Sequence, residues 1–301
     1  MTASQLTATG ARSARRRRPV PPAKRRSNLL TVIVWITMIY FLVPLIWLFI
    51  STTKDNSDLF ATFGLAFGKT FEFFANIGNL FTFQDGVFVQ WLGNTLLYAV
   101  TGAVGAAALA TACGYALAKY RFRGRGLVFG LILGSIMVPL TALAIPTYLL
   151  FTAANITDSV WAIILPSFVS PFGVYLMRVY AEQSVDSSLL EAARIDGAGE
   201  VRTFFTVALR LLAPGIVTTL LFAVVSTWNN YFLPLIMLSK PNLYPLTVGL
   251  TQWSNQATGV GARPIYNLVI TGSLLTIVPL VIAFLLLQRF WQSGLSAGSV
   301  K

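Results

Sequence analysis

Long apolar stretches alternate along this chain with short polar ones, and none shows the two-residue period of a half-buried strand. The first runs from Leu29 to Ile50. The second lies between Asp85 and Lys119 and reads best as Trp91 to Ala118. The third lies between Arg125 and Asp158, and the fourth is the tight run from Ser159 to Met177. The fifth lies between Arg210 and Lys240, and the sixth between Arg263 and Arg289. As a helix, each is long enough to cross a hydrocarbon core about 30 Å thick. Every charged residue sits outside these runs. The pattern predicts an all-α, polytopic membrane protein with six transmembrane helices rather than a closed barrel.

Within the runs, small residues recur at helical spacing. Gly102, Ala106, Ala110 and Gly114 lie four apart on the second span, and Gly126, Gly130 and Gly134 repeat this entering the third. In lipid such faces let helices approach closely, so they predict a compact bundle or a subunit interface. Cys113, among the small residues of the second span, reads as core. Pro44, Pro139, Pro146, Pro166, Pro171, Pro234 and Pro279 interrupt the spans, and each removes a backbone donor and invites a kink.

Composition sharpens this. Of 301 residues, 55% are hydrophobic and 11% charged, with mean hydropathy +0.71, far from a soluble enzyme. No histidine and one cysteine exclude His-based triads, Cys/His metal sites and an intramolecular disulfide. The net charge of +12 is distributed unevenly. The N-terminal tail holds Arg12, Arg15 to Arg18, Lys24, Arg25 and Arg26. The loop between spans 2 and 3 holds Lys119, Arg121, Arg123 and Arg125. The loop between spans 4 and 5 holds Arg178, Arg194, Arg202 and Arg210, and the C-terminus adds Arg289 and Lys301. Only Lys54, Lys69, Lys240 and Arg263 fall on the other side. The positive-inside rule then places both termini of this multi-pass membrane protein in the cytoplasm. The Arg-rich tail, followed by Pro19, Pro21 and Pro22, reads as a disordered segment facing anionic lipid. No folded basic surface backs a nucleic-acid partner.

No ionisable side chain lies within a span, so the chain has no intramembrane proton relay. Its linings suit a neutral polar solute, and the energy has to come from elsewhere. Gly68-Lys69-Thr70 resembles the end of a phosphate-binding loop, but the required first glycine is replaced by Phe63, with Gly64 one residue late. No nucleophile–base or metal constellation points to an enzyme.

The loop between spans 4 and 5, about residues 179–214, is amphipathic. Ser188 and Glu191 have capping-box spacing, and Leu189, Ala192 and Ala193 form a small apolar face. Glu191 and Arg194 are spaced to pair at i,i+3. Gly197 is placed to end the helix in a left-handed turn. A second helix follows, with Val201, Phe204, Phe205, Ala208, Leu211 and Leu212 on one stripe and Pro214 at its junction with span 5. A short helix projected by a glycine turn and continuous with a span could act as a lever for a docked partner. An ordinary interfacial helix is the plainer reading.

Glu191-Ala192-Ala193, three residues, then Gly197 resembles the EAA motif of permease subunits in binding-protein-dependent ABC importers. Asp196, Ala198, Phe204 and Pro214 extend the match, while Arg210 departs from a proline found in many relatives. Trp91 to Leu96, Tyr115 to Phe122, Trp228-Asn229-Asn230-Tyr231 with Pro234-Leu235, and the tail Gly294 to Lys301 resemble the carbohydrate branch. Within it they resemble the smaller six-span permease of the maltose type. The resemblance runs from span 1 to the C-terminus. It implies the fold of a type I importer permease: a tail over 1–28, a permease domain over 29–290 and a C-terminal tail over 291–301.

The resemblance also implies partners: a second permease subunit, two cytoplasmic ATPase subunits and an extracytoplasmic solute-binding protein, besides membrane lipid. ATP and Mg would be used by the ATPase, with no cofactor bound by this non-catalytic chain. Glu191, Ala192, Ala193, Asp196 and Gly197 would form the coupling helix that docks on the ATPase. The C-terminal tail either reaches the ATPases or simply frays. Trp228, Asn229, Asn230 and Tyr231 are candidates to line the solute path, with packing and interhelix hydrogen bonds as the alternative. A permease for a non-sugar solute such as glycerol phosphate or a peptide is the second reading, and a secondary transporter the third.

Overall fold

The computed structural model describes residues 28–258 and 261–297. The Arg-rich tail before residue 28 and residues 298–301 of the C-terminal tail lie outside them. The described residues contain helices and turns and no strand.

In chain order the helices are α1 (Asn28–Thr52), α2 (Asn56–Ala61), α3 (Phe73–Thr82), α4 (Val87–Lys119), α5 (Arg125–Ile136), α6 (Leu140–Ala153), α7 (Trp161–Ser167) and α8 (Pro171–Ser184). Then come α9 (Ser187–Ile195), α10 (Glu200–Thr203), α11 (Leu209–Trp228), α12 (Phe232–Met237), α13 (Leu246–Thr258) and α14 (Tyr266–Ala297). Five helical segments are long and apolar enough to cross a membrane, and α5 with α6 makes a sixth, bent by 107°. Five of the six predicted spans are thus present as helical segments, and the third is the bent pair.

Contacts divide the chain between Leu45 and Ile46. In the first unit, residues 28–45 are an apolar helix with exposed side chains. The second unit is built on α4, whose small-residue face receives the backbones of its neighbours. A Cβ on Gly102 would lie 2.8 Å from Ser167 Cβ. One on Gly114 would lie 2.7 Å from both the Arg178 amide nitrogen and Met177 Cβ. Ala106 and Ala110, between them, are 1% exposed. This stripe is therefore a contact face against α7 and α8, as predicted. Gly126, Gly130 and Gly134 on α5 differ: a Cβ on any of them meets nothing within 4 Å, and α5 has no buried residue.

Apolar side chains complete the second unit in two main clusters. One, at the end holding α3, α12 and α13, contains Phe88, Trp91, Tyr98, Trp228, Met237 and Trp253. The other, at the basic end, contains Tyr115, Met177, Ala181, Val185, Leu190, Ala208 and Leu212.

Several boundaries differ from the pattern-based expectation. The fourth span is Trp161–Ser184, two helices joined at Phe168–Ser170. It passes the predicted end at Met177 by two turns, carrying Arg178 and Glu182 beyond the apolar run. Of the prolines, Pro139 and Pro171 stand at helix starts, whereas Pro44, Pro214 and Pro279 lie inside continuous helices. Pro214 is not a junction: α11 runs through it, and the Thr218 hydroxyl donates to the Pro214 carbonyl one turn earlier at 2.9 Å. Helix α14 continues to Ala297, so the segment expected as a tail from residue 291 begins as helix.

Candidate functional site

The amphipathic loop folds as two short helices against the basic end of α4. Helix α9 starts at an N-cap that the sequence pattern misplaced. Asp186 adopts an extended conformation, and its carboxylate accepts from the Ser188 amide at 2.9 Å. Ser188 is already inside the helix, so the expected Ser188–Glu191 capping box does not form. The capping hydrogen bond holds the Asp186 carboxyl below its ordinary pKa.

The far end of α9 is as predicted. Gly197 has φ +78°, its N–H donates to Arg194 O, and Ala198 N–H donates to Ala193 O. These two bonds around a left-handed residue form a Schellman turn, which satisfies carbonyls the helix would otherwise leave open. A Cβ on Gly197 would touch nothing within 4 Å, so glycine is required here by conformation alone. Glu191, Ala192, Asp196 and Gly197 are exposed and Ala193 is half-buried. Leu190 is the buried side chain of α9 and enters the basic-end cluster. The helix thus offers an open face one turn deep, closed by the glycine turn.

Arg194 does not pair with Glu191. Its Nε donates to Glu200 Oε1 at 2.8 Å across the glycine turn, and the Tyr120 hydroxyl donates to Glu200 Oε2 at 2.9 Å. The bonds from Arg194 and Tyr120 hold the Glu200 carboxyl below its ordinary pKa, while burial and the bond to Glu200 push Tyr120 up. Sequence spacing favoured i,i+3, but the turn at Gly197 brings α10 back toward the last turn of α9, and Glu200 wins. The pair was not legible because it spans a reversal of the chain.

The predicted stripe of the following helix is split. Ala208 and Leu212 are fully buried, whereas Val201 and Phe205 are 72% and 61% exposed. Residues Phe204–Ala208 form a π turn, closed by Leu209 N–H onto Phe204 O. Its extra residue rotates what precedes it out of phase, so a 3.6-residue stripe cannot run through it. A recess of about 240 Å³, lined in part by Tyr115, Tyr120, Glu200 and Phe204, lies beside this turn.

The other candidate set marks a break in span 5. Asn229 ends α11, and its side-chain amide donates to Val225 O at 2.9 Å while remaining exposed. The Asn230 side-chain oxygen accepts from Leu233 N–H at 3.4 Å, and its carbonyl accepts from the Thr247 hydroxyl at 2.8 Å. Both asparagines therefore serve the backbone of the break. Trp228 is 3% exposed, and its indole N–H has no hydrogen-bond partner. Tyr231 is half-buried against the same cluster.

At this opposite end, polar clasps escaped the sequence reading. Asp158, at φ +57°, accepts from the Ser239 and Lys240 amides at 2.9 and 3.0 Å and lies 3.3 Å from Lys240 Nζ. Asn267 donates to Asn76 at 2.6 Å and accepts from Asn56 at 2.7 Å, joining the start of α14 to α2 and α3. Its partners lie 191 and 211 residues away, so no local spacing announces them. In the rejected phosphate-loop segment, the Lys69 amide donates to the Asp58 carboxylate at 2.6 Å, so an acidic group occupies that place.

Comparison with known proteins agrees with this architecture. Residues 110–293 match the family described as binding-protein-dependent transport system inner membrane component. The arabinooligosaccharides transport system permease protein of Halalkalibacterium halodurans is 32% identical over 86% of this chain and 90% of its own length. Its Bacillus subtilis counterpart is 31% identical over 90% and 95%. The lactose transport system permease protein of Rhizobium radiobacter is 29% identical over 86% and 90%. Among solved structures, a bacterial ABC transporter that imports the acidic polysaccharide alginate matches with TM-score 0.77 at 24% identity. It covers 87% of this chain and 95% of the matched one, and it supports the fold.

Proposed function

The chain belongs to the family of binding-protein-dependent transport system inner membrane components, and from that premise we propose that it is a permease subunit of an ABC sugar importer. It would form half of a solute path with a second permease and couple that path to two ATPase subunits by alternating access. The observation that carries the reading is α9: an exposed helix bearing Glu191, Ala192, Ala193 and Asp196, stopped by a Schellman turn at Gly197. Its open face suits a cleft in a soluble partner, and Glu191 suits a basic residue there.

The charge distribution supports placing this end in the cytoplasm. Lys119, Arg125, Arg178 and Arg194 lie at this end of the second unit, which the positive-inside rule assigns to the cytoplasmic side of the plasma membrane. The opposite end, with the loops over 51–90 and 239–263, would receive a solute-loaded binding protein. ATP and Mg would act in the ATPase, and this chain would catalyse no covalent step.

A sugar is favoured by what the relatives are named for transporting and by apolar runs that lack charge. In the span 5 set Asn229 is exposed and Asn230 and Tyr231 are half-buried, so these three remain accessible. Trp228, next to them in the chain, is buried with an N–H that a hydroxyl or a water could satisfy. The test is ATPase activity of the co-expressed complex in lipid, with a panel of sugar-loaded binding proteins. Stimulation by one loaded protein supports the reading and identifies the sugar. A complex that purifies without an ATPase refutes it.

A further inference from the structure

Glu200 stands where three elements meet. It is the first residue of α10, one carboxylate oxygen accepts from Arg194 on α9, and the other accepts from Tyr120, the residue that ends α4. We propose that Glu200 is a positioning residue that makes the docking helix move α4 together with α11, and not α11 alone. The inference rests on the ATPase-docking reading of α9.

The attachment of α9 explains why such a link is needed. The helix has nine residues, and its apolar anchor is Leu190. A helix held by one buried side chain and flanked by the turns at Asp186 and Gly197 rolls under a sideways load. Arg194, on its last turn, adds a second point of attachment, and that point leads to α4 through a single carboxylate.

The surroundings of Tyr120 carry the connection onward. Its ring meets Tyr115 edge-on at 5.8 Å, and Tyr115 meets Phe204 at 5.1 Å. Phe204 opens the π turn that continues into α11. The Thr203 hydroxyl, just before that turn, is buried and without a hydrogen-bond partner. Movement of α9 therefore has a direct polar route to α4 and a route to α11 through a wider turn.

Arg194 and Glu200 are each 47% exposed, so the pair adds little to the stability of the free chain. A docked ATPase would cover it, and loss of water strengthens an ion pair. The link becomes stiffest when load is applied.

The test uses the complete importer in proteoliposomes, reading solute uptake and ATP hydrolysis together, with Glu200→Gln, Tyr120→Phe and the double variant. Tyr120→Phe keeps the ring packing and removes one hydroxyl, so it isolates the link from folding. Uptake per ATP should fall at least about twofold in each single variant, the lower end of what one residue on a coupling route changes. The yield of assembled complex should not change. The double variant should be no worse than Glu200→Gln, because both break the same connection. An unchanged ratio, equal falls in uptake and hydrolysis, or losses that add would each overturn the inference. A wild-type preparation without ATPase overturns the docking reading, and this inference with it.

Discussion

Gly197→Ala separates conformation from contact at the docking helix. The residue sits at φ +78° with open space around it, so the added methyl meets no neighbour. The whole cost is that of an L-residue in the left-handed region, about 1–2 kcal/mol. That is roughly a 5- to 30-fold smaller equilibrium constant for the turned state. None of the basic-end cluster touches this position, so the melting temperature of the isolated subunit should barely move. The loss should fall on docking: the apparent affinity for purified ATPase drops, by at most about 5- to 30-fold, because partner binding selects the competent fraction. Gly197→Asn should lose less, since asparagine tolerates this region better. The assay is titration of the ATPase onto reconstituted subunit, read by binding and by hydrolysis. Unchanged affinity in Gly197→Ala, or a loss of subunit stability equal to the loss of affinity, would refute the reasoning.

Two further outcomes are expected. Gly114→Ala crowds the Met177–Arg178 backbone and should destabilise the isolated subunit despite the helix-propensity gain of alanine, since overpacking costs about 1–3 kcal/mol. Gly130→Ala meets nothing and should be neutral or stabilising by up to about 1 kcal/mol; denaturation in mixed micelles compares the two. Hydrogen bonds from the Ser239 amide, with further help from Lys240, hold the Asp158 carboxyl below its ordinary value of 3.8. Its contribution is complete above that value and is lost as pH falls through the lower folded value, so a melting series from pH 6 to below about 3.8 should show a drop that Asp158→Asn diminishes.

The spans were legible because the period and length of apolar runs are local properties, and so was the left-handed stop at Gly197. The partner of Arg194 was not, because a glycine reversal brings Glu200 closer than Glu191. Nor was the split stripe over Val201 to Leu212: the pattern fits an unbroken α-helix, and one extra residue in a π turn defeats it. Asp186 displaced Ser188 as the cap because both residue types favour that position, and α9 already begins at Ser187. The small residues of α4 and α5 look alike on paper. Only the fold shows that Gly114 meets Met177 and Arg178 while Gly130 meets nothing. The span 5 set was found as a segment but not as a break, since asparagine pairs serve helix ends and solutes with the same atoms.

The 107° bend between α5 and α6 has a consequence for the life of the subunit in a cell. Ile136, Met137 and Val138 at the bend are exposed, at 43%, 85% and 41%. Irregular backbone at membrane depth persists only where protein covers it or water reaches it. Among the described residues little covers Met137, so a copy without its partners would carry an unfinished seam in its third span. An orphan copy would open there first, within reach of membrane proteases that act on locally unfolded segments. The abundance of this subunit would then follow the supply of whatever closes the seam, and the bend would serve as a quality-control mark for assembly.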